Sequence, residues 1–263
     1  MNNNYNSLSS SNVLEIDGKK GLDYVSEKLR HSWGDYPIYH IHNVPETDFV
    51  VAYEDLATEL GTIEECRPVN DKSKTVSKSR DIRPDPSVYH FYAANTRQPL
   101  HTDYSYFPDT KSPDWLLMYC LAPSELGGKT RFLTARKLRQ ILEKFNPSLL
   151  EKLSIDVTWS FVGDDGNEIH RKPIMLDERI NWNYWQIKAD LNSKEVMEVR
   201  EDFFKFLEQV IVAGSIYDFS KVWKRGDVMI FNDKKILHGR DAFLGDRWLK
   251  DHALFDNKIK NSI

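Results

Sequence analysis

Pro99-Leu100-His101-Thr102-Asp103-Tyr104 sets a histidine and an aspartate two residues apart. Successive side chains of a β-strand point to opposite faces, so in extended chain His101 and Asp103 share a face and Thr102 takes the other. An imidazole and a carboxylate on one face make two thirds of a small metal site. A distant stretch, Gly226-Asp227-Val228-Met229-Ile230-Phe231-Asn232-Asp233-Lys234-Lys235-Ile236-Leu237-His238-Gly239-Arg240, offers the third ligand as His238. Alone, a His-x-Asp pair is read as well as a solvated turn. The chain around it decides between the two.

The sequence has 263 residues, 40% of them hydrophobic and 29% charged, with a formal net charge of −4. That is an ordinary globular composition, long enough to bury a sizeable core. It carries no concentrated basic face, so no nucleic-acid partner is expected. Cys66 and Cys120 are the two cysteines, too few for a disulfide framework and not spaced as a CxxC pair. No apolar run reaches the roughly 20 residues that span a bilayer, and the polar N-terminus lacks the features of a secretory signal. A cytoplasmic protein with no membrane partner is the simplest expectation. Seven Trp, twelve Tyr and thirteen Phe suit a β-rich core or an aromatic-lined pocket.

Residues 1–12, rich in Asn and Ser, read as a loose arm, and 13–263 as a single domain. Leu22, Val25 and Leu29 carry a weak helical period, and Ile38-Tyr39-His40-Ile41-His42 reads as a short strand with ordinary strand histidines. Phe49, Val50, Tyr53, Leu56 and Leu60 share a helical face. Arg67 to Asp85 reads as a charged loop and a candidate lid, and Val88 to Asn95 as a strand. Trp115-Leu116-Leu117-Met118-Tyr119-Cys120-Leu121, bounded by Pro113 and Pro123, predicts a strand buried on both faces. Thr134 caps a predicted helix that ends at Asn146-Pro147. Gly163 to Asn167 predicts a hairpin turn, and 194–213 the clearest helix. Strands at 228–231, 235–238 and 247–255 close the chain. Strands with a helical insertion predict an α+β domain, mainly β, around an antiparallel barrel or jelly roll.

Two histidines and one carboxylate leave three positions open on an iron, the facial triad of non-haem Fe(II) oxygenases. After His101-Thr102-Asp103 come Gly127-Gly128-Lys129-Thr130, Gly226-Asp227, His238-Gly239-Arg240 and Asp246-Arg247-Trp248-Leu249-Lys250. In this order the motifs resemble the TauD/TfdA family of Fe(II)/2-oxoglutarate-dependent oxygenases, and within it the clavaminate synthase-like amino-acid hydroxylases. The resemblance spans residues 80–255. It implies a double-stranded β-helix (jelly roll) core with helical insertions and an N-terminal α/β extension. It also implies an enzyme that uses O2 to hydroxylate an unactivated C–H bond of a small molecule, such as an amino acid or a metabolite made from one, while 2-oxoglutarate is decarboxylated to succinate. The substrate would be free or tethered to a carrier protein. Alternatives are a desaturase or cyclase of the same site, with or without 2-oxoglutarate, and a non-catalytic metal-binding jelly roll.

The resemblance gives His101, Asp103 and His238 to iron, and Thr130 and an arginine to the 5-carboxylate of 2-oxoglutarate. Arg247 is the first choice, because a guanidinium on a largely apolar strand face needs an anion. Arg240 is the fallback. Many relatives carry a second arginine four residues after the first, where this chain has Asp251. The interval from His238 to Arg247 is short for the family, and Asn232-Asp233 is read as a turn. A carboxylate at Asp103, where halogenating relatives carry a small residue, implies no halogenation. Asn95, Tyr104, Ser105 and Tyr106 are candidate substrate contacts, and Trp159, Arg171, Arg179, Trp182 and Trp185 mark a region able to close over the site.

Overall fold

The computed structural model describes residues 12–45, 49–65, 77–88, 90–109, 111–155, 159–163 and 169–256. In chain order its main elements are strand β1 (Val13–Asp17), helix α1 (Leu22–Ser32), β2 (Ile38–His42), α2 (Phe49–Leu60), β3 (Arg80–Ile82), β4 (Gln98–His101), β5 (Trp115–Ala122), β6 (Thr130–Thr134), α3 (Ala135–Phe145), α4 (Pro147–Ser154), α5 (Lys194–Phe206), β7 (Phe219–Lys221), β8 (Val228–Asn232), β9 (Ile236–Arg240) and β10 (Trp248–Phe255).

A large sheet runs β1-β2-β8-β5-β10, with Thr62–Ile63 and β3 both paired to β10. A second sheet runs β7-β6-β9-β4. All pairings are antiparallel except β1 with β2, which α1 connects as a parallel unit, the N-terminal α/β extension. The fold is the expected jelly roll with helical insertions.

β5 shows why the sheets stack as they do. Trp115, Leu117 and Tyr119 join the cluster that covers α1 and α2. Leu116, Met118 and Cys120 point the other way, into a cluster shared with Phe132 and Ile236 of the second sheet. An eight-residue strand apolar on both faces must be sandwiched, and each fully buried large side chain contributes about 1.5–3 kcal/mol. The outer face of the second sheet is covered by α3, α4 and α5 through Leu133, Leu138, Leu153, Phe203 and Leu237.

α3 starts where the sequence places it, with the Thr134 hydroxyl accepting the Lys137 N–H at 3.1 Å. Helix 194–213 runs as α-helix only to Phe206 and continues as a π-helix over Leu207–Val212. The hairpin predicted around 163–167 has paired flanks, Ser160–Val162 with Ile169–Arg171, and its tip lies outside the described residues. His40 donates to Glu15 across the parallel pair and packs on Phe219, as a strand histidine does.

Three expectations differ. Phe91–Ala93 is a 3-10 turn, not strand. Its carbonyls face the buried guanidinium of Arg240 instead of a neighbouring strand: Arg240 donates to the Phe91, Ala94 and Thr96 carbonyls at 3.1, 2.6 and 2.9 Å. Within the expected loop, Arg80–Ile82 is a strand on β10, while residues 66–76 lie outside the described residues. Of the N-terminal arm only Asn12 is described; it is buried, with its amide on Asp218 at 2.8 Å. Among the described residues no helix is long and apolar enough to cross a membrane.

Candidate active site

β4 and β9 are antiparallel neighbours, and His101 stands directly across from His238 with ring centroids 4.4 Å apart. The strand ends at His101. The Thr102 N–H leaves the ladder and donates to the Trp182 carbonyl at 2.7 Å, and the Thr102 hydroxyl pairs with Ser105 at 2.6 Å, away from the site. Asp103 then sits in a turn instead of in the strand, yet returns to the histidines' face. Its Oδ1 lies 3.0 Å from His101 Nε2 and 3.6 Å from His238 Nε2. Ligand atoms of the three residues fall within 4.8 Å of one another.

The chemistry of the three suits a divalent cation. His101 Nδ1–H donates to the Pro99 carbonyl at 2.9 Å, which turns Nε2 toward the site; burial disfavours a charge on His101, but the Asp103 carboxylate beside Nε2 outweighs it and raises the His101 pKa. Burial, with His101 alongside, pulls the His238 pKa down to about 3, so His238 is the neutral imidazole that a metal requires. Its buried Nδ1 has no hydrogen bond, and the nearest acid is Asp233 Oδ1 at 3.7 Å. Asp233 is more than a turn residue. It is buried beneath the site and accepts the N–H groups of Asp103 at 3.1 and 3.2 Å and of Tyr104 at 3.3 Å, which holds the turn that presents Asp103. Burial, then the Asp103 charge, raises its pKa to about 7.

Gly239 lets the two histidine strands close. A Cβ there would sit 2.9 Å from the Gln98 carbonyl oxygen and 3.2 Å from both Leu100 N and Pro99 C, all backbone of β4. Gly239→Ala is therefore expected to part β9 from β4, destabilise the fold by about 1–3 kcal/mol and weaken Co(II) binding about tenfold or more. Urea midpoints and a Co(II) titration check both; unchanged metal affinity would show that the spacing of His101 and His238 is set elsewhere.

Beside the triad lies a buried cation with no acid to pair it. Arg247 is 3% exposed; among the described residues its Nε has no partner, and its one hydrogen bond reaches Thr130 Oγ1 at 3.4 Å. No carboxylate among the described residues is within ion-pair distance. Burial, with Arg240 adding repulsion, pulls its pKa down to about 9. Trp223 Nε1–H donates to the same Thr130 oxygen at 2.7 Å. That oxygen accepts both bonds, so the Thr130 proton is free for an anion held by Arg247. Arg240, the fallback, also lines the cavity; one of its terminal nitrogens serves the three carbonyls noted above, and its Nε, like that of Arg247, has no partner among the described residues. Asp251, four residues beyond Arg247, is buried and paired with Arg80.

These groups open onto a cavity of about 870 Å³. Tyr104, Tyr106, Asn183, Trp185 and Gln186 line it along with the triad, Thr130 and Arg247. Asn95 and Ser105 do not: the Asn95 carbonyl accepts the Phe243 N–H, and Ser105 is buried on Thr102. Of the tryptophans expected to close over the site, Trp159 and Trp182 are core residues, and only Trp185 reaches the cavity.

The profile of the taurine catabolism dioxygenase TauD, TfdA family matches residues 15–251. The chain belongs to that family. Solved TauD-like structures share the fold at low identity. Asparagine oxygenase in complex with Fe(II), 3-hydroxyasparagine and succinate superposes with TM-score 0.67 at 15% identity, over 89% of this chain and 79% of that one. The non-heme iron oxygenase OrfP in complex with Fe and alpha-ketoglutaric acid gives 0.61 at 14%, over 91% and 80%. A taurine dioxygenase from Burkholderia xenovorans gives 0.61 at 13%, over 94% and 88%. No curated protein matches the chain in sequence. Sequence reasoning missed Arg80, Trp223 and the part played by Asp233, because each acts through a partner far along the chain.

Proposed function

We propose that this TauD-family member is an Fe(II)/2-oxoglutarate-dependent oxygenase that hydroxylates a C–H bond of an amino-acid-like small molecule. The observation that carries the reading is Arg247: a buried guanidinium with no carboxylate in reach among the described residues, bonded to Thr130 and lining the same cavity as a His-Asp-His cluster. A metal site that did no more than hold an ion would have no use for it.

His101 and His238 through Nε2 and Asp103 through Oδ1 would hold the iron. Arg247 and Thr130 would hold the 5-carboxylate of 2-oxoglutarate, the guanidinium by its planar fork and the hydroxyl by its free proton. Bound together with O2, iron and the keto acid supply oxidation of a substrate C–H bond coupled to loss of CO2 and formation of succinate. The chain's own work is placement. Pro99 and Asp233 fix His101 and the Asp103 turn, Trp223 orients Thr130, and Tyr104, Phe107 and Met118 wall the cavity. Toward the substrate the cavity carries both signs of charge, Glu64, Asp81 and Asp85 with Arg83 and Lys250, and the amides of Asn183 and Gln186. That mixture suits a zwitterion better than a hydrocarbon. Asparagine and arginine derivatives bound to the similar structures point the same way.

The test is an anaerobic titration of the metal-free protein with Fe(II) and then 2-oxoglutarate, recorded in the visible. The expected result is a weak metal-to-ligand charge-transfer band that needs both additions and is absent in His101→Ala. Iron binding without the band would remove 2-oxoglutarate from the reading and favour an oxidase that draws all its electrons from substrate. With the band established, succinate release in the presence of free amino acids identifies the substrate.

A further inference from the structure

The carboxylate of Asp251 is buried beside the metal site, where an uncompensated charge is costly, and its partner comes from the neighbouring strand. β3 pairs with β10 so that Arg80 stands directly opposite Asp251. Arg80 Nε donates to Asp251 Oδ1 and Oδ2 at 3.3 and 3.2 Å, and an Arg80 terminal nitrogen donates to Oδ2 at 2.5 Å. The same terminal nitrogen donates to Asp103 Oδ2 at 2.8 Å. Tyr92 lies under the guanidinium, 5.5 Å from ring centroid to Cζ. The two oxygens of Asp103 are thus divided. Oδ1 faces both histidines, and Oδ2 is held by a cation that cannot lose its charge.

We propose that Arg80 is a positioning residue that confines Asp103 to binding the metal through Oδ1 alone, and that Asp251 is its anchor. The inference rests on the reading of His101, Asp103 and His238 as the metal ligands. A carboxylate with a free second oxygen can close onto a metal through both. On a six-coordinate ion, two histidines and one oxygen leave three positions, enough for a chelating keto acid and O2; a second carboxylate oxygen leaves two. Arg80 keeps the third position open. It also explains the departure at Asp251. The position does not carry a lost clamp: it carries the acid that orients a cation from β3, and a planar fork reaching two carboxylates at once transmits that orientation to Asp103.

The test uses the full chain labelled with carboxyl-13C aspartate. Infrared difference spectra are taken between the Co(II)-loaded and metal-free protein. The separation between antisymmetric and symmetric carboxylate stretches is wide for a ligand bound through one oxygen and narrow for one bound through two. Wild type is expected to give the wide separation. Arg80→Met leaves Asp251 without a partner, so the companion variant is Arg80→Met/Asp251→Leu, which removes both charges of the pair. Each is expected to give the narrow separation and, on Fe(II)-loaded protein, a Kd for 2-oxoglutarate raised about tenfold or more. Arg80→Lys, which keeps a donor and a charge, is expected to recover the wide separation. A wide separation retained in the double variant overturns the inference and leaves the site reading intact. Failure of wild type to take Co(II) at His101, Asp103 and His238 overturns the site reading itself.

Discussion

Arg247→Met is expected to abolish the protection that 2-oxoglutarate gives the metal-loaded protein against thermal unfolding, and to leave the metal-free protein at least as stable as wild type. The two halves have one cause. Arg247 is buried without an acid, its Nε lacks a partner, and burial has already moved its pKa toward the neutral form. Its charge costs the folded state and is repaid only when an anion arrives. Methionine keeps most of the apolar stem and removes the charge, so the empty fold is relieved. For the ligand, two charge-assisted hydrogen bonds at about 1.5–3 kcal/mol each disappear, a loss of roughly 10²–10⁴ in affinity. At a concentration about 100 times the wild-type Kd, the bound keto acid stabilises by about 2.7 kcal/mol, and the variant should show almost none of this. Arg247→Lys, a point charge without the fork, should fall between the two. Protection retained in Arg247→Met would move the clamp to another residue, and Arg240, which lines the same cavity with its Nε unpartnered among the described residues and one terminal nitrogen on three backbone carbonyls, is the first to test.

Much of this was readable in the sequence, for reasons that can be stated. The double-faced apolar run of β5 can exist only between two layers, and the structure places helices on one side of it and the second sheet on the other. The His-x-Asp pair, weak alone, and His238 were legible through the ordered motifs that accompany them, and Arg247 because a guanidinium on a largely apolar strand face needs an anion. What escaped is cooperative. Asp103 lies beyond its strand and is returned to the histidines by a turn held on Asp233, 130 positions away in sequence. Arg80 sits in a charged, Ser- and Lys-rich stretch that reads as loop by composition, and its partner Asp251 is 171 positions away. Val88 to Asn95 reads as strand by its aromatic content. There Phe91 packs on Trp185 at 4.4 Å, and the segment's carbonyls serve Arg240 instead of a ladder. Each of these needs a pairing between distant residues, and propensity carries no such information.

Asp103→Ala is the second variant expected to act far more on ligands than on the fold. In the metal-free protein three charges meet here: Asp103 and Asp251, with Arg80 between them. Removing Asp103 leaves Arg80 and Asp251 as a matched pair with several hydrogen bonds between them, so thermal unfolding of the metal-free chain should shift little. Metal binding loses its only negatively charged ligand. The expected fall in Co(II) affinity exceeds about a hundredfold, beyond what the loss of a supporting hydrogen bond costs, and the Fe(II)/2-oxoglutarate band should vanish with it. Fluorescence-monitored Co(II) titration and metal-free melting curves give the two numbers. A metal affinity near that of wild type would mean that another acid holds the ion. Taken with Arg247, the pattern has a physical meaning. The cavity is lined both by Asp103, one of two carboxylates that share Arg80, and by Arg247, a guanidinium with no carboxylate in reach among the described residues. A divalent cation would bind at the first and a dicarboxylate at the second. Substituting either residue should therefore cost binding without costing the fold, whereas Gly239→Ala, which disturbs the backbone between them, should cost both.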